Sequence, residues 1–170
     1  MAQDTRGILT IPTPASLATS PKDSLRPYVT VVCGPRGSGK TDLVAERVGD
    51  GDFVWDYGEI QRTLFPRGDD GNAAKIMGDI KSAVFRHLLG AAVFTKAWLV
   101  VQAPGKAERQ TYIDRLNAEI IVIEATAAYC ADATPWGKSS QGAEVVRNEA
   151  IKWWSKYERV PGQEIVIPDV

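Results

Sequence analysis

The chain has 170 residues, 44% of them hydrophobic and 24% charged, with a net charge of −1. That balance fits one globular domain with its own core, and it excludes a disordered chain or a polycation that would hold nucleic acid by overall charge. Cys33 and Cys130, the only cysteines, are too few for a disulfide framework and lack metal-ligand spacing. With no basic-then-apolar leader and no apolar run of membrane-spanning length, a reduced, cytoplasmic setting without a membrane partner is expected.

Residues 1–26 hold Pro12, Pro14 and Pro21 among many Ser and Thr without periodicity, which predicts an extended N-terminal arm ahead of a domain over 27–170. Tyr28-Val29-Thr30-Val31-Val32-Cys33 is β-branched and apolar, a buried strand. Gly34-Pro35-Arg36-Gly37-Ser38-Gly39-Lys40-Thr41 follows and meets the phosphate-binding pattern G-x-x-x-x-G-K-[ST] at every fixed position. Asp42 to Val48 then reads as a short helix stopped by Gly49. Strand, loop and helix in that order give the motif its physical sense. The glycines let the backbone curl with its N–H groups turned inward on phosphate oxygens, and the helix adds the positive end of its dipole. Lys40 is expected on the β- and γ-phosphates of ATP, with the Thr41 hydroxyl on Mg2+. Arg36, at a variable position, is expected to point to solvent or toward a bound substrate.

Phe53-Val54-Trp55-Asp56-Tyr57 reads as a second, short strand. Asp56 falls near its C-terminal end, where open α/β sheets form their ligand crevice, so it is a candidate to face the phosphates, as base or metal ligand. The alternative is a helix-capping or turn aspartate. Glu59 to Leu64 is a possible helical turn, and Asp69-Asp70 in a Gly-rich loop read as solvated turn residues. From Asn72 to about Val93 the spacing predicts a helix with Ile76, Met77, Ile80, Val84 and Leu88 on one face. His87, the only histidine, sits beside that stripe and takes no role.

Ala97 to Gln102 is a third strand, ending in Gln102-Ala103-Pro104 where many P-loop proteins carry an acid. Gly105 to Leu116 predicts a helix with Tyr112, Ile113 and Leu116 inward and Arg109 outward. Glu119 to Glu124 is a fourth, central strand, followed by a short helix over 126–133. Residues 134–142, with Lys138 as their one cation, read either as a lid closing over phosphates or as a plain surface loop. Glu144 to about Tyr157 is an amphipathic helix carrying Arg147, and Glu164 to Ile167 reads as an edge strand or packed tail.

The strand-GPRGSGKT-helix order, the strand Phe53-Val54-Trp55-Asp56, the Gln102-Ala103-Pro104 ending and the closing Ile151-Lys152-Trp153-Trp154-Ser155-Lys156-Tyr157 resemble small P-loop proteins of bacteriophages. Those are described as AAA-family ATPases and look like the kinase domain of bacteriophage polynucleotide kinase. The resemblance spans residues 28–160, with only the phosphate loop highly specific. It implies a three-layer α/β fold, a parallel sheet of four to five strands with helices on both faces. It also implies an ATP–magnesium site and transfer of the γ-phosphoryl group to a hydroxyl. The family's general-base aspartate falls at Gly58 here, two residues after Asp56, and the lid arginines are replaced by Lys138 and, on the next helix, Arg147.

Phosphoryl transfer needs in-line positioning, neutralised γ-phosphate charge and a group to orient the nucleophile. Lys40 and a magnesium on Thr41 and Asp56 supply charge, and Glu59 is a second candidate base. Arg62, Arg109, Lys138 and Arg147 are the cations available to cover the phosphates. Three functions stay open: a kinase acting on a nucleotide or nucleic-acid acceptor, a partner-coupled ATPase, and a nucleotide-binding module without turnover. The sequence specifies neither a protein partner nor an oligomeric state.

Overall fold

The computed structural model describes residues 26–66, 71–90, 94–134 and 139–169. The arm over 1–25, Asp69-Asp70 and residues 135–138 of the expected lid, Lys138 among them, lie outside the described residues.

Alternation along the strands decides the architecture. In β1 (Tyr28–Cys33), Val29, Val31 and Cys33 enter one buried cluster and Val32 the other. The same alternation sends Ala97, Leu99 and Val101 of β3 (Lys96–Val101) one way and Trp98 and Val100 the other. In β4 (Glu119–Ile123), Ile120 and Val122 oppose Ile121 and Ile123. Strands apolar on both faces need helices on both faces, which is the parallel-sheet solution. β2 (Phe53–Asp56) and β5 (Glu164–Val166) complete a five-stranded, wholly parallel sheet in the order β2-β3-β1-β4-β5. Val31 sits between Leu99 and Ile120 in register.

One face is covered by α2 (Tyr57–Leu64), α3 (Ala73–Leu89) and α4 (Lys106–Leu116), through Ile60, Met77, Phe85, Leu88, Tyr112 and Leu116. The other is covered by α1 (Lys40–Arg47), α5 (Ala127–Ala133) and α6 (Ser140–Trp154), through Val44, Cys130, Val146 and Ala150. The expected three-layer α/β fold is present. The C-terminal ends of β2, β3 and β1 come side by side, and the loop 34–41 leaves from β1, the central strand of the five.

Several local expectations are corrected. α3 ends at Leu89, where Gly90 takes an extended conformation. Its buried face is Ala73, Met77, Phe85 and Leu88, so Ile76, 42% exposed, lies outside the core. α6 starts at Ser140, four residues before the expected Glu144, because the Ser139 hydroxyl accepts the Gly142 N–H at 3.1 Å. The described end of the expected lid is therefore a helix start. Tyr57 opens α2 instead of closing β2. Arg109, expected to point outward, is fully buried.

Candidate functional site

The loop 34–41 owes its curl to glycines in left-handed backbone, Gly37 at φ 79° and Gly39 at φ 85°. Gly39 stands at the N-terminal boundary of α1, so the first free N–H groups of that helix open onto the loop. Lys40 is folded back over the loop. Its Nζ donates to the carbonyls of Gly34 at 3.0 Å and Pro35 at 2.5 Å, and reaches the Ser38 hydroxyl at 3.5 Å. Burial pushes the ammonium down to about 8, against the opposing pull of the Asp56 carboxylate. An ammonium held on neutral carbonyls is a charge still short of a counter-ion, as an anion site requires.

The Thr41 hydroxyl donates to Asp56 Oδ2 at 2.6 Å. Asp56 Oδ1 accepts the Glu59 N–H at 3.0 Å and so caps α2. Asp56 thus caps a helix, the alternative reading, and at the same time binds the Thr41 hydroxyl at the end of the loop. Only 9% exposed, the carboxylate is fixed by its capping bond.

The loop is braced from two sides. Gly34 N–H donates to the Gln102 carbonyl at 3.2 Å, and the Trp153 indole N–H donates to the same oxygen at 2.7 Å. A side chain at Gly37 would meet the Cys130 carbonyl at 2.5 Å, so α5 lies directly on the crest of the loop. Cys33 and Cys130 are both buried, which pushes their thiols up to about 12 and about 11, so neither is a nucleophile at neutral pH.

The structure brings Gly34 to Thr41 together with Asp56 and separates most of the remaining candidates. Arg36 turns to α6, its Nη1 3.3 Å from Glu149 Oε2. Glu59 is exposed, and its carboxylate pairs with Arg62 along α2. Arg147 is exposed on α6. Arg109 is held by the carbonyls of Ala103, Pro104 and Glu158, so the expectation that it is available to cover phosphates is corrected. A side chain at Gly58 would come within 3.5 Å of Asp56 Oδ1, so a carboxylate there would stand beside Asp56. Sequence reasoning missed Glu149, the Gln102 carbonyl and the α5 backbone. The last two act through main-chain atoms, which leave no residue code. Glu149 is one more charged residue on an amphipathic helix.

A hydroxyl and a carboxylate 2.6 Å apart are hard oxygen donors of the kind Mg2+ takes. Among the described residues no cluster of three or more His, Cys, Asp or Glu forms a closed metal cage. A cation held here would keep water and phosphate oxygens as its other ligands, which suits Mg2+. Inward N–H groups, Lys40 and this pair together fit a magnesium–nucleotide complex.

No family model and no curated protein matches the chain. Solved structures do. A gluconokinase from Sinorhizobium meliloti 1021 is 12% identical with a TM-score of 0.50, over 84% of this chain and 83% of that one. A shikimate kinase from Bacteroides thetaiotaomicron is 11% identical with a TM-score of 0.50, over 76% and 78%. The chain shares its three-layer α/β fold with these two kinases. A chain of the Pnkp1/Rnl/Hen1 RNA repair complex is 11% identical with a TM-score of 0.55, over 78% of this chain but only 47% of that one. Lys40, Thr41 and Asp56 lie at the strand ends, where ligands bind in open parallel sheets of this kind. No helix among the described residues is long and apolar enough to cross a membrane.

Proposed function

We propose that the chain is an ATP-dependent phosphotransferase that moves the γ-phosphoryl group to a hydroxyl or phosphate of a nucleotide or nucleic acid. The observation that carries this reading is the meeting of Lys40, Thr41 and Asp56 at the ends of β1 and β2, on a fold shared with kinases. Lys40 would leave the Gly34 and Pro35 carbonyls for the β- and γ-phosphates. Gly34, Pro35, Arg36, Gly37, Ser38 and Gly39 would supply the backbone cradle. Thr41 and Asp56 would hold Mg2+, which supplies neutralisation of the charge on the transferring phosphate. In the reaction the bond from Pγ to the bridging oxygen breaks, releasing ADP, and a bond from the acceptor oxygen to Pγ forms; a hydroxyl acceptor gives its proton to a carboxylate or to water, and a phosphate oxygen has none to give. Asp56 would serve either in holding the metal or in orienting that acceptor, not in both at once. Glu59 would serve only by breaking its pair with Arg62. Arg147, and Lys138 beyond the described residues, are the remaining cations for the phosphates. The nucleotide or nucleic-acid acceptor rests on the resemblance to the polynucleotide kinase domain.

One observation favours a second reading, partner-coupled ATP hydrolysis or nucleotide binding with weak turnover. Both Asp56 oxygens are already engaged, and Gly58 leaves no side chain where a second carboxylate would stand. Incubation with γ-labelled ATP and Mg2+, alone and with nucleosides, nucleoside monophosphates and 5′-hydroxyl DNA, separates the readings. Label on one acceptor is the expected result and names its class. Label released only as free phosphate favours hydrolysis. ATP bound without turnover would overturn the phosphotransferase reading.

A further inference from the structure

Arg109 is the one charged residue, among those described, that is fully buried, at 0% exposure. No carboxylate pairs with it among the described residues. A buried guanidinium is tolerated only when its donors are satisfied. Here Nη1 donates to the Ala103 carbonyl at 2.9 Å and to the Pro104 carbonyl, Nη2 to the Glu158 carbonyl, and Nε to Gln163 Oε1 at 3.0 Å. Its plane lies 5.2 Å from the Tyr157 ring. One side chain thus ties three segments together: the turn between β3 and α4, the chain after α6, and the approach to β5.

That turn is strained. Ala103 has φ 35°, a left-handed conformation that a residue with a Cβ adopts only when its surroundings hold it there. The guanidinium donates to the Ala103 and Pro104 carbonyls, the two that follow this left-handed φ. With those two oxygens committed, the Gln102 carbonyl faces the other way, onto the Gly34 N–H at 3.2 Å and the Trp153 indole at 2.7 Å. Gly34 opens the glycine-rich loop.

We propose that Arg109 is a positioning residue for that loop: by fixing the left-handed turn at Ala103 it aims the Gln102 carbonyl at Gly34 and sets where the cradle begins. The effect on the loop's backbone stands on this geometry alone. The effect on ATP affinity rests also on the function proposed above.

The test is amide hydrogen exchange at Gly34, with Val31 in the middle of β1 as internal control, alongside ATP titration. Arg109→Gln speeds exchange at Gly34 by at least ~tenfold while Val31 is unchanged, because the opening is local. ATP affinity falls by ~tenfold, as expected when a preorganised cradle is loosened. Adding Ala103→Gly to Arg109→Gln restores both, since glycine takes the left-handed turn without the guanidinium. A merely structural role would speed exchange at Gly34 and Val31 alike and would not be rescued at position 103. Unchanged Gly34 exchange in folded Arg109→Gln overturns the proposal, as does failure of Ala103→Gly to rescue. If Arg109→Gln does not fold, Arg109→Lys decides: it keeps the charge but not the fork, and must still accelerate Gly34 selectively. If the wild-type protein binds no ATP, the functional reading fails while Gly34 exchange still judges this one.

Discussion

At the residue scale the proposed chemistry rests on Lys40 and Asp56, and both are legible in sequence for different reasons. Lys40 sits at a fixed motif position. Asp56 was marked by standing at the end of a short apolar strand, although its capping bond to Glu59 could be stated only as an alternative. A lysine brought down to about 8 from 10.5 gives a signed pH dependence. Between those values the unfolded chain holds a proton that the folded chain has released, so this group's contribution to stability rises with pH across that window and burial of the charged form weighs against folding below it. Urea midpoints measured from pH 7 to 10 should therefore rise more in wild type than in Lys40→Met. ATP affinity should move the opposite way, falling as pH passes above about 8, because the anion needs the ammonium. Lys40→Arg should remove that fall, since a guanidinium keeps its charge. Asp56→Asn keeps the shape and loses the charge beside Thr41, and turnover should drop at least ~10²-fold with ATP binding mostly intact. A drop of only a fewfold would make Asp56 a helix cap and nothing more.

At the scale of elements, glycines with the same dihedral separate conformational demand from crowding. Gly51 and Gly37 have φ of 82° and 79°, but a Cβ at Gly51 meets nothing within 4 Å and one at Gly37 meets the Cys130 carbonyl at 2.5 Å. Gly51→Ala should cost ~1 kcal/mol by denaturant unfolding, the price of the left-handed backbone alone. Gly37→Ala should cost at least ~2 kcal/mol and displace α5 from the loop, because overpacking adds to it. Equal losses would mean that α5 does not rest on the loop as described. On α3, Met77→Ala should cost ~2–5 kcal/mol and Ile76→Lys less than ~0.5 kcal/mol, since only Met77 is in the core. The sequence placed both on one stripe, because adjacent apolar residues blur which of them the 3.6-residue period favours. It placed the strands well, since runs buried on both faces have no competing reading at that length. The start of α6 escaped it because Ser139-Ser140-Gln141-Gly142 is as polar as a loop, and only the capping bond from Gly142 to Ser139 distinguishes the two.

For the molecule as a whole, the class of fold was legible and the order of the strands was not. Alternating strands and helices imply a parallel sheet, but nothing in Lys96–Val101 announces that it pairs between β2 and β1. That insertion is what sets the Gln102 carbonyl beside Gly34, and it explains why the Gln102-Ala103-Pro104 ending, read as the absence of an acid, turns out to contribute a backbone acceptor. Arg109 was misjudged for a related reason. Its partners are three main-chain oxygens and the Gln163 side chain, from segments up to 54 residues away, which no periodicity encodes. The loop 34–41, with Asp56 beside it, is proposed as a magnesium–ATP site. Calorimetric titration of ATP in the presence of Mg2+ into wild type and Lys40→Ala tests it most directly. Saturable binding is expected, weakening at least ~10²-fold when the ammonium is removed, in keeping with loss of a charge-assisted contact in a partly buried site. Equal binding by the two proteins, or none by wild type, would contradict it.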